Sequence, residues 1–484
     1  MPEAASLNEH AADLRDRVLA RGHGTHHPGS HLQRNPPGTY DRLRFKPGSV
    51  LLLPSSGWYA IGCLATGEQR RAEEVLTTLA GLQYEAHGEP FDGTFPIFAG
   101  FPHPPTGGQA RMWEEYDPNW RQFLGCMLEL VLLRAGSDGP VGLPAIDDVL
   151  AERLGSVSAR AAASDPDDRV PPGYSNIALM RAWHDVTVGR RTQQAALVER
   201  GDSMRAQVLG RWRAHHAFDE FNSPTYYGVL LLALGLWVDH APTEEFSRDG
   251  RRLLAGLVEE IATTYHPRLR NLCGPYFRAY GLDMTQYVAA LGLWLTAAGV
   301  RPAPLPDLGA EELHQGHDLQ LAATIPLFPT VTAELAVALQ AASALPRAFS
   351  RELADERQVA GHLGPEAMFG VESSPHDWDA WVQFTGATGH WAAGEETAWF
   401  VLRARGAMAG RPRADGLDLR LADDTRGAWL ELSTTVHELA RGHLDLGDAG
   451  HLVVADTEIA GVAPDGRVLL DRPSGAAVSL TLRR

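Results

Sequence analysis

The amino-acid sequence predicts a mainly α chain with a C-terminal β region: an (α/α)6 toroid over residues 1–350, then an antiparallel β-sandwich-like domain over residues 365–484. Two observations predict this architecture. Apolar side chains recur with helical spacing up to about residue 345, and short segments of alternating polarity dominate after about residue 365. Within the helical part, apolar helices alternate with charged ones at a period of about 55 residues, as expected for a ring of helical hairpins.

The helical repeat is clearest in two nearly identical apolar segments, Leu231–Trp237 and Val288–Trp294. Both predict an inner helix buried on every side, because no face carries charge. Thr243–Thr264, between them, is rich in Glu and Arg, which is typical of an outer, solvent-facing helix. Tyr174–Trp183 and Arg191–Arg213 form an earlier inner and outer pair. About twelve helices are expected before residue 345, enough for six hairpins, and a superhelical solenoid is the alternative arrangement.

The C-terminal part predicts antiparallel strands in four segments: Trp399–Leu402, Ala428–Ser433, Arg467–Leu470 and Ala477–Leu482. In the last segment apolar and hydroxyl side chains alternate, which is the period-two pattern of a half-buried strand. Pro464-Asp-Gly466 precedes the third segment and is typical of a turn. A β domain is therefore expected here.

Composition narrows the class of protein and its partners. The chain has 484 residues, is 44% hydrophobic, and carries 43 Lys+Arg against 60 Asp+Glu, a formal net charge of −17. The apolar content excludes a disordered chain, since it allows a large core. The acidic balance argues against nucleic acid as a partner, because phosphate would be repelled.

Cysteines, histidines and apolar runs argue against several further classes. The three cysteines form no CxxC pair, so neither a disulfide scaffold nor a thiolate zinc site is indicated. The histidine-dense segment His23–His31 is assigned to a Gly/Pro-rich loop near the terminus, and no metal or cofactor is expected. No secretory signal is recognised, and the longest apolar run, Val229–Val238, is too short to cross a membrane. A cytoplasmic protein without a membrane partner is the expectation, and the oligomeric state stays open.

Polar and aromatic residues crowd the segment that precedes the Leu231–Trp237 helix. Asn222-Ser223-Pro224 is typical of a helix start, because Asn or Ser caps a helix and Pro suits its first turn. Capping does not explain why ionisable and phenolic groups gather there. The candidate residues of this segment are His215, His216, Asp219, Glu220, Asn222, Tyr226 and Tyr227. An elaborate cap with aromatic core packing is the alternative interpretation.

The segment Cys273–Tyr287 occupies the equivalent place before the next inner helix. Asp283 is expected to cap that helix, with Gln286 completing a capping box. Arg278 has the geometry to hold a carboxylate, and Tyr280 has the chemistry of a proton donor or base. An ion pair between Arg278 and a neighbouring acid is the alternative.

Other polar and aromatic clusters are candidates for substrate binding. Trp113 and Trp120 offer stacking faces for sugar rings, and Asp117 and Asn119 offer hydrogen bonds to hydroxyls. Asn176 opens another inner helix in a similar way. Caps and core aromatics would give much the same pattern. The β region adds His390 and Trp391, and a buried structural histidine is the alternative for His390. The remaining candidates for substrate binding are Asp219 and Asp283.

With its toroid, its β domain and these Asn, His, Tyr and Arg groups, the sequence resembles the heparinase II/III and alginate-lyase class of polysaccharide lyases. The resemblance is architectural and covers most of the chain. It implies β-elimination of a uronate-containing substrate. It assigns carboxylate neutralisation to Asn222, the role of base or acid to Tyr226 or Tyr227, and carboxylate contacts to His215, His216 and Arg278. His390 would approach from the β domain.

Three other functions remain open at this stage. Asp219 or Glu220 with Asp283 would be the carboxylate pair of a glycoside hydrolase. A lyase, dehydratase or isomerase acting on a non-sugar metabolite, or a binding toroid without catalysis, would keep the same fold. The expected partner is a small-molecule or oligosaccharide substrate.

Overall fold

The computed structural model describes residues 4–35, 50–164, 170–342, 344–375, 383–440, 442–471 and 477–483. The chain divides into two compact units, each built from separate stretches of sequence. Unit 1 comprises Met1–Arg211, Gly228–Ala255 and Gln286–Ala336, and unit 2 comprises Trp212–Tyr227, Gly256–Thr285 and Val337–Arg484. Two short stretches from the helical half of the sequence therefore belong to unit 2.

The described residues before 345 contain eleven α-helices and one long 3-10 helix, in line with the twelve helices expected from the sequence. The helices are α1 (Ala4–Thr25), α2 (Leu53–Ala65), α3 (Gln69–Ala80), α4 (Trp120–Arg134), α5 (Asp148–Ala163), α6 (Ser175–Arg191), α7 (Ala195–His215), α8 (Tyr226–Asp239), α9 (Glu244–Thr264), α10 (Ala290–Ala297), the 3-10 helix (Gly316–Leu327) and α11 (Pro329–Ala341). The predicted inner and outer segments coincide with α6 to α10.

The repeat seen in the sequence corresponds to a repeated packing within unit 1. The indole of Trp237 in α8 donates a hydrogen bond to the carbonyl of Leu179 in α6, at 2.9 Å. The indole of Trp294 in α10 donates in the same way to the carbonyl of Gly228 in α8, at 2.8 Å. A side chain at Gly228 would lie 2.3 Å from the backbone of Ala290, so α8 and α10 are in direct backbone contact.

The first helix of unit 1 contacts its last segments. The Arg21 guanidinium in α1 donates to the carbonyls of Leu308, at 3.0 Å, and Ala310, at 2.6 Å. Gln320 of the 3-10 helix donates to the carbonyl of Val18, at 3.4 Å. Contacts between residues about 300 positions apart thus join the two ends of unit 1.

Unit 2 holds two large antiparallel sheets and a short hairpin. The strands of the chain are β1 (His26–His27), β2 (Leu32–Asn35), β3 (Val50–Leu51), β4 (Tyr265–His266), β5 (Asn271–Leu272), β6 (Arg347–Glu352), β7 (Gln358–Leu363), β8 (Ala367–Ser373), β9 (Ala387–Ala393), β10 (Glu396–Ala404), β11 (Met408–Arg413), β12 (Gly416–Leu421), β13 (Ala428–Leu432), β14 (Glu438–Ala440), β15 (His443–Asp445), β16 (His451–Ala455), β17 (Ile459–Val462), β18 (Val468–Leu470) and β19 (Ala477–Arg483). An eight-stranded sheet has the order β17-β18-β13-β10-β9-β8-β7-β6, and a six-stranded sheet has the order β11-β12-β19-β16-β15-β14. The four predicted segments lie in β10, β13, β18 and β19, so the antiparallel β region is confirmed.

The two large sheets share one apolar core. Phe369 and Phe400 of the eight-stranded sheet and Leu417 and Leu480 of the six-stranded sheet are fully buried members of the same cluster. Alternate residues of β19 are buried, which is the pattern the sequence predicted for that strand.

Within the described ranges, no single helix is long and apolar enough to cross a membrane. By length and composition alone, one pair of helices passes together, Gly316–Leu327 and Pro329–Ala341, which meet at an angle of 99°.

Candidate functional site

The first turn of α8 places two tyrosines in different surroundings. The Ser223 hydroxyl accepts the N–H of Tyr226 at 3.0 Å, and the Ser223 carbonyl accepts the N–H of Tyr227 at 2.9 Å. The helix start predicted at residues 222–224 is therefore confirmed, with Ser223 as its cap. Because neighbouring helical residues point about 100° apart, Tyr226 is half-buried whereas Tyr227 is fully buried.

Tyr226 is the centre of a group that we call the tyrosine–arginine cluster, formed by Tyr226, Tyr280, Arg278, Glu220 and Gln383. The Tyr226 and Tyr280 hydroxyl oxygens lie 2.6 Å apart, a hydrogen bond in which either can donate. Arg278 Nη2 donates to the Tyr226 hydroxyl at 2.6 Å, and its guanidinium carbon lies 3.9 Å from the centre of the Tyr226 ring. One phenol oxygen thus has a cationic donor and a second phenol within hydrogen-bond distance.

Arg278 is held in place by the other members of the cluster. Its Nη1 donates to Glu220 Oε1 at 3.0 Å, and its Nε donates to Gln383 Oε1 at 3.2 Å. Glu220 is only 1% exposed, so it is a buried counter-charge for the guanidinium. The ion pair that the sequence left open for Arg278 is present, and the same guanidinium also donates to Tyr226.

Backbone hydrogen bonds position the segment that carries Arg278 and Tyr280. The N–H of Phe277 donates to the carbonyl of Phe221 at 3.1 Å, and the N–H of Ala279 donates to the carbonyl of Gln383 at 3.0 Å. Tyr276 and Thr385 exchange two backbone hydrogen bonds, at 3.0 and 3.1 Å. These bonds limit the movement of the segment, so the cluster geometry does not depend on side chains alone.

Tyr227 belongs to a separate buried group. Its hydroxyl donates to the Glu260 carboxyl, which is also paired with Arg351. Burial raises the pKa of Glu260 to about 8, while the nearby Arg351 cation opposes that rise. Arg351 also donates to the carbonyl of His216, at 2.8 Å, which connects this group to the segment before α8.

Asn222 holds the loop that follows β5. Its Nδ2 donates to the carbonyls of Cys273, at 2.6 Å, and Pro275, at 2.9 Å, and the residue is fully buried. Its backbone has a φ of 55°, in the left-handed region that Asn tolerates better than most residues. Both amide hydrogens of Asn222 are therefore engaged with backbone.

The printed hydrogen bonds of His216 and Asp219, which precede α8, are made by their backbone carbonyls. His215 is half-exposed at the end of α7. His216 is exposed, and its ring packs edge-on against Trp212 with centroids 5.3 Å apart. The backbone carbonyl of Asp219 accepts from Arg357 at 3.1 Å.

Asp283 does not start the next helix, contrary to the capping prediction. Its Oδ1 accepts the N–H and the hydroxyl of Thr285, both at 2.8 Å, in a local turn. Helix α10 begins at Ala290 and has no side-chain cap. The side chain thus makes the short-range turn that Asp favours outside helices. Burial raises the pKa of the Asp283 carboxyl.

The two candidates from the β region are structural in their contacts. His390 Nε2 lies 2.9 Å from the carbonyl of Leu282, and burial lowers the pKa of this imidazole to about 4. The indole of Trp391 donates to the carbonyl of Ala449 at 2.7 Å, within the core shared by the two sheets.

Five other candidates lie in unit 1. Asn119 Nδ2 donates to the Tyr174 hydroxyl at 2.8 Å, and its N–H donates to Asp117 Oδ1 at 2.9 Å. The indole of Trp120 is buried and donates to a backbone carbonyl at 3.2 Å. Trp113 is 49% exposed. The fifth candidate, Asn176, is fully buried in the first turn of α6.

Sequence reasoning missed two features. Gln383 is 105 residues from Arg278, and no local pattern marks it as a partner. In unit 1, one group of potential metal ligands is found within the described residues: donor atoms of His23, Cys63 and Glu68 lie within 4.8 Å of one another. His23 lies in the last turn of α1 and not in a loop, so the loop assignment for it was wrong.

A family model described as "Domain of unknown function (DUF8769)" matches residues 51–329. The chain belongs to the DUF8769 family. In this DUF8769 chain the matched range includes Tyr226, Tyr280 and Arg278. The matched range ends at residue 329, before the first strand of the large sheets, which begins at Arg347.

A crystal structure of heparinase III is similar to the DUF8769 chain, with a TM-score of 0.44 and 9% sequence identity, over 88% of this chain and 75% of the heparinase chain. No curated protein matches the chain in sequence. A likeness of this size shows neither an activity nor site residues.

Proposed function

We propose that this DUF8769 chain is a carbohydrate-active lyase that breaks a glycosidic bond beside a uronate by β-elimination. The observation that carries the proposal is the hydrogen-bonded pair Tyr226 and Tyr280, with Arg278 donating to the Tyr226 oxygen. β-Elimination needs one group that removes a proton from carbon and one that protonates the leaving oxygen. Two adjacent phenols provide both.

The proposed step balances its protons within the pair. Ionised Tyr226 takes the proton from C5 of the uronate, and the C5–H electrons form the C4–C5 double bond. The bond from C4 to the glycosidic oxygen breaks, and Tyr280 protonates that oxygen. The new Tyr226 proton then passes to Tyr280 along the 2.6 Å hydrogen bond, which restores the starting state.

Arg278 supports this cycle by stabilising negative charge on the Tyr226 oxygen. A charge-assisted hydrogen bond is about twice as strong as a neutral one. Because Glu220 and Gln383 fix the guanidinium beforehand, little reorganisation is needed when the charge develops. Gln383 itself is buried, which holds its acceptor oxygen against Arg278.

Hydrolysis by a carboxylate pair has less support. Glu220 is buried against Arg278, and Asp283 is buried and bonded to Thr285. A glycoside hydrolase needs an acid and a base or nucleophile that both reach the sugar. Asp283 belongs to both candidate pairs, with Asp219 and with Glu220, and its burial against Thr285 does not favour that access.

The proposed architecture is the closed toroid and sandwich expected from the sequence. Within unit 1, the contacts of α1 with Leu308, Ala310 and Gln320 support ring closure over an open solenoid. Within unit 2, the single core shared by the two sheets supports a sandwich.

The test is incubation of the purified chain with a panel of uronate-containing oligosaccharides. The ultraviolet absorbance of an unsaturated uronate should rise with the unaltered chain and stay flat with Tyr226→Phe and Tyr280→Phe. Tyr265→Phe is the matched control, because its buried hydroxyl has no partner among the described residues, and it should keep activity. New reducing ends without absorbance would replace elimination by hydrolysis. Silence in both signals would overturn the carbohydrate proposal.

A further inference from the structure

A polar group in unit 1 brings together three side chains from three helical regions. His23 lies in the last turn of α1, Cys63 lies in α2, and Glu68 directly precedes α3. One donor atom from each lies within 4.8 Å of the other two. None of the three takes part in the tyrosine–arginine cluster.

The group is already organised by hydrogen bonds. His23 Nε2 lies 3.0 Å from Glu68 Oε1, and His23 Nδ1 lies 2.8 Å from the Tyr59 hydroxyl. Arg71 Nη1 lies 2.9 Å from Glu68 Oε2 and 2.5 Å from His23 Nδ1. A guanidinium therefore supplies the positive charge between the carboxylate and the imidazole.

The donor set has the composition that a borderline-soft divalent metal prefers. Imidazole nitrogen, thiolate sulfur and carboxylate oxygen are the usual zinc ligands, at about 2.0–2.3 Å from the ion. Magnesium and calcium are disfavoured, since they need mostly oxygen ligands and only Glu68 provides one. Donors already within 4.8 Å reach a common ion by small side-chain rotations.

We propose that His23, Cys63 and Glu68 bind one zinc ion, with a fourth coordination position open to water. The Cys63 thiol loses its proton to solvent as the zinc–sulfur bond forms. His23 binds through Nε2, because its Nδ1 is held by the Tyr59 hydroxyl, which fixes the orientation of the ring. The ion replaces the charge of Arg71, whose side chain moves outward.

Burial and exposure fit this assignment. Cys63 is fully buried, so it closes the inner side of the site. The side chains of His23 and Glu68 are each 34% exposed, and that of Arg71 is 38% exposed. Arg71 therefore has room to leave, and the outer side admits the ion and its water.

The experiment is a titration of the metal-free full chain with zinc and with cobalt(II). We expect one equivalent of zinc per chain, displaced from a competing chromophoric chelator, and no comparable binding of magnesium. Cobalt(II) at the same site should give the near-ultraviolet charge-transfer band of a thiolate ligand. A chain that binds no stoichiometric zinc, or gives no thiolate band, overturns the proposal.

Matched variants identify the ligands. Cys63→Ser should remove the charge-transfer band and lower zinc affinity by more than the roughly 10–100-fold that the loss of an outer-shell partner costs. Cys126→Ser, the same change at another buried cysteine, should alter neither. His23 is partly exposed, so His23→Gln should not disturb folding, and it should also lower zinc affinity. This variant keeps the proposal testable if Cys63→Ser fails to fold. Arg71→Gln should raise zinc affinity, because it removes the competing cation. Equal affinity in the Cys63 and Cys126 variants would refute the site, as would a weaker Arg71 variant.

Discussion

The ion pair between Glu220 and Arg278 gives a prediction that does not depend on the substrate. Glu220 is 1% exposed, the Arg278 side chain is 13% exposed, and the joined atoms are 3.0 Å apart. Removing one partner of such a pair leaves the other charge buried, which costs about 3–5 kcal/mol. Glu220→Gln keeps an acceptor for Arg278, so we expect a smaller loss, about 2 kcal/mol.

The double variant distinguishes a true pair from two unrelated contacts. Arg278→Met alone should cost about 3–5 kcal/mol, because it strands the Glu220 carboxylate. Glu220→Gln with Arg278→Met should cost about 2–3 kcal/mol less than the sum of the single losses, since neither charge is then stranded. The bare Coulomb attraction at about 4 Å and an effective dielectric constant near 20, roughly 4 kcal/mol, is an upper bound for this coupling.

The assay is urea unfolding followed by circular dichroism, with the free energy of unfolding extrapolated to water for all four proteins. A coupling energy within about 0.5 kcal/mol of zero would refute the reasoning, because independent sites add to within that margin. It would mean that solvent or other groups compensate each charge separately.

Other predictions concern stability as a function of pH and of packing. The pKa of Glu260 is raised from 4.5 to about 8, so the free energy of unfolding should fall by roughly 5 kcal/mol in total as pH rises through that window. Glu260→Gln should flatten this part of the plot of urea midpoint against pH. The pKa of His390 is lowered from 6.5 to about 4, so the free energy of unfolding should fall by roughly 3 kcal/mol as pH falls through that window. His390→Gln should lack this loss of stability at acidic pH. Gly228→Ala should lower the thermal midpoint, because its Cβ would meet backbone at 2.3 Å. Gly210→Ala, at an open helical position, should raise stability by about 0.5–1 kcal/mol, and a similar loss in both would contradict the packing argument.

Local patterns predicted the elements of this chain well. The apolar segments ending in Trp237 and Trp294 predicted α8 and α10, because helical burial leaves a periodic signal in adjacent residues. The alternating segment 477–482 predicted β19 for the same reason at period two. The helix start at Ser223 was predicted from short-range capping chemistry, which needs only neighbouring residues.

Contacts between distant residues explain what the sequence could not predict. Gln383 meets Arg278 across 105 positions, and His23 meets Cys63 and Glu68 across about 40, without any pattern in the intervening sequence. Asp283 followed by Gln286 fits a capping box, yet Thr285 takes its carboxylate and the helix begins later. A competing partner two residues away decided that outcome.

Unit 2 is built from three separate stretches of the sequence, which affects how its C-terminal sheets could be exchanged by recombination. Tyr226 and Arg278 come from two short stretches inside the helical half, and Gln383 comes from the region that follows it. The range that defines the family ends at residue 329, so it carries the tyrosine and the arginine without the glutamine. Recombination at that boundary would transplant a guanidinium whose Nε has lost its acceptor. A hybrid that keeps the guanidinium in this orientation would need another acceptor at the same place, so C-terminal partners that supply one would fit such a helical half best.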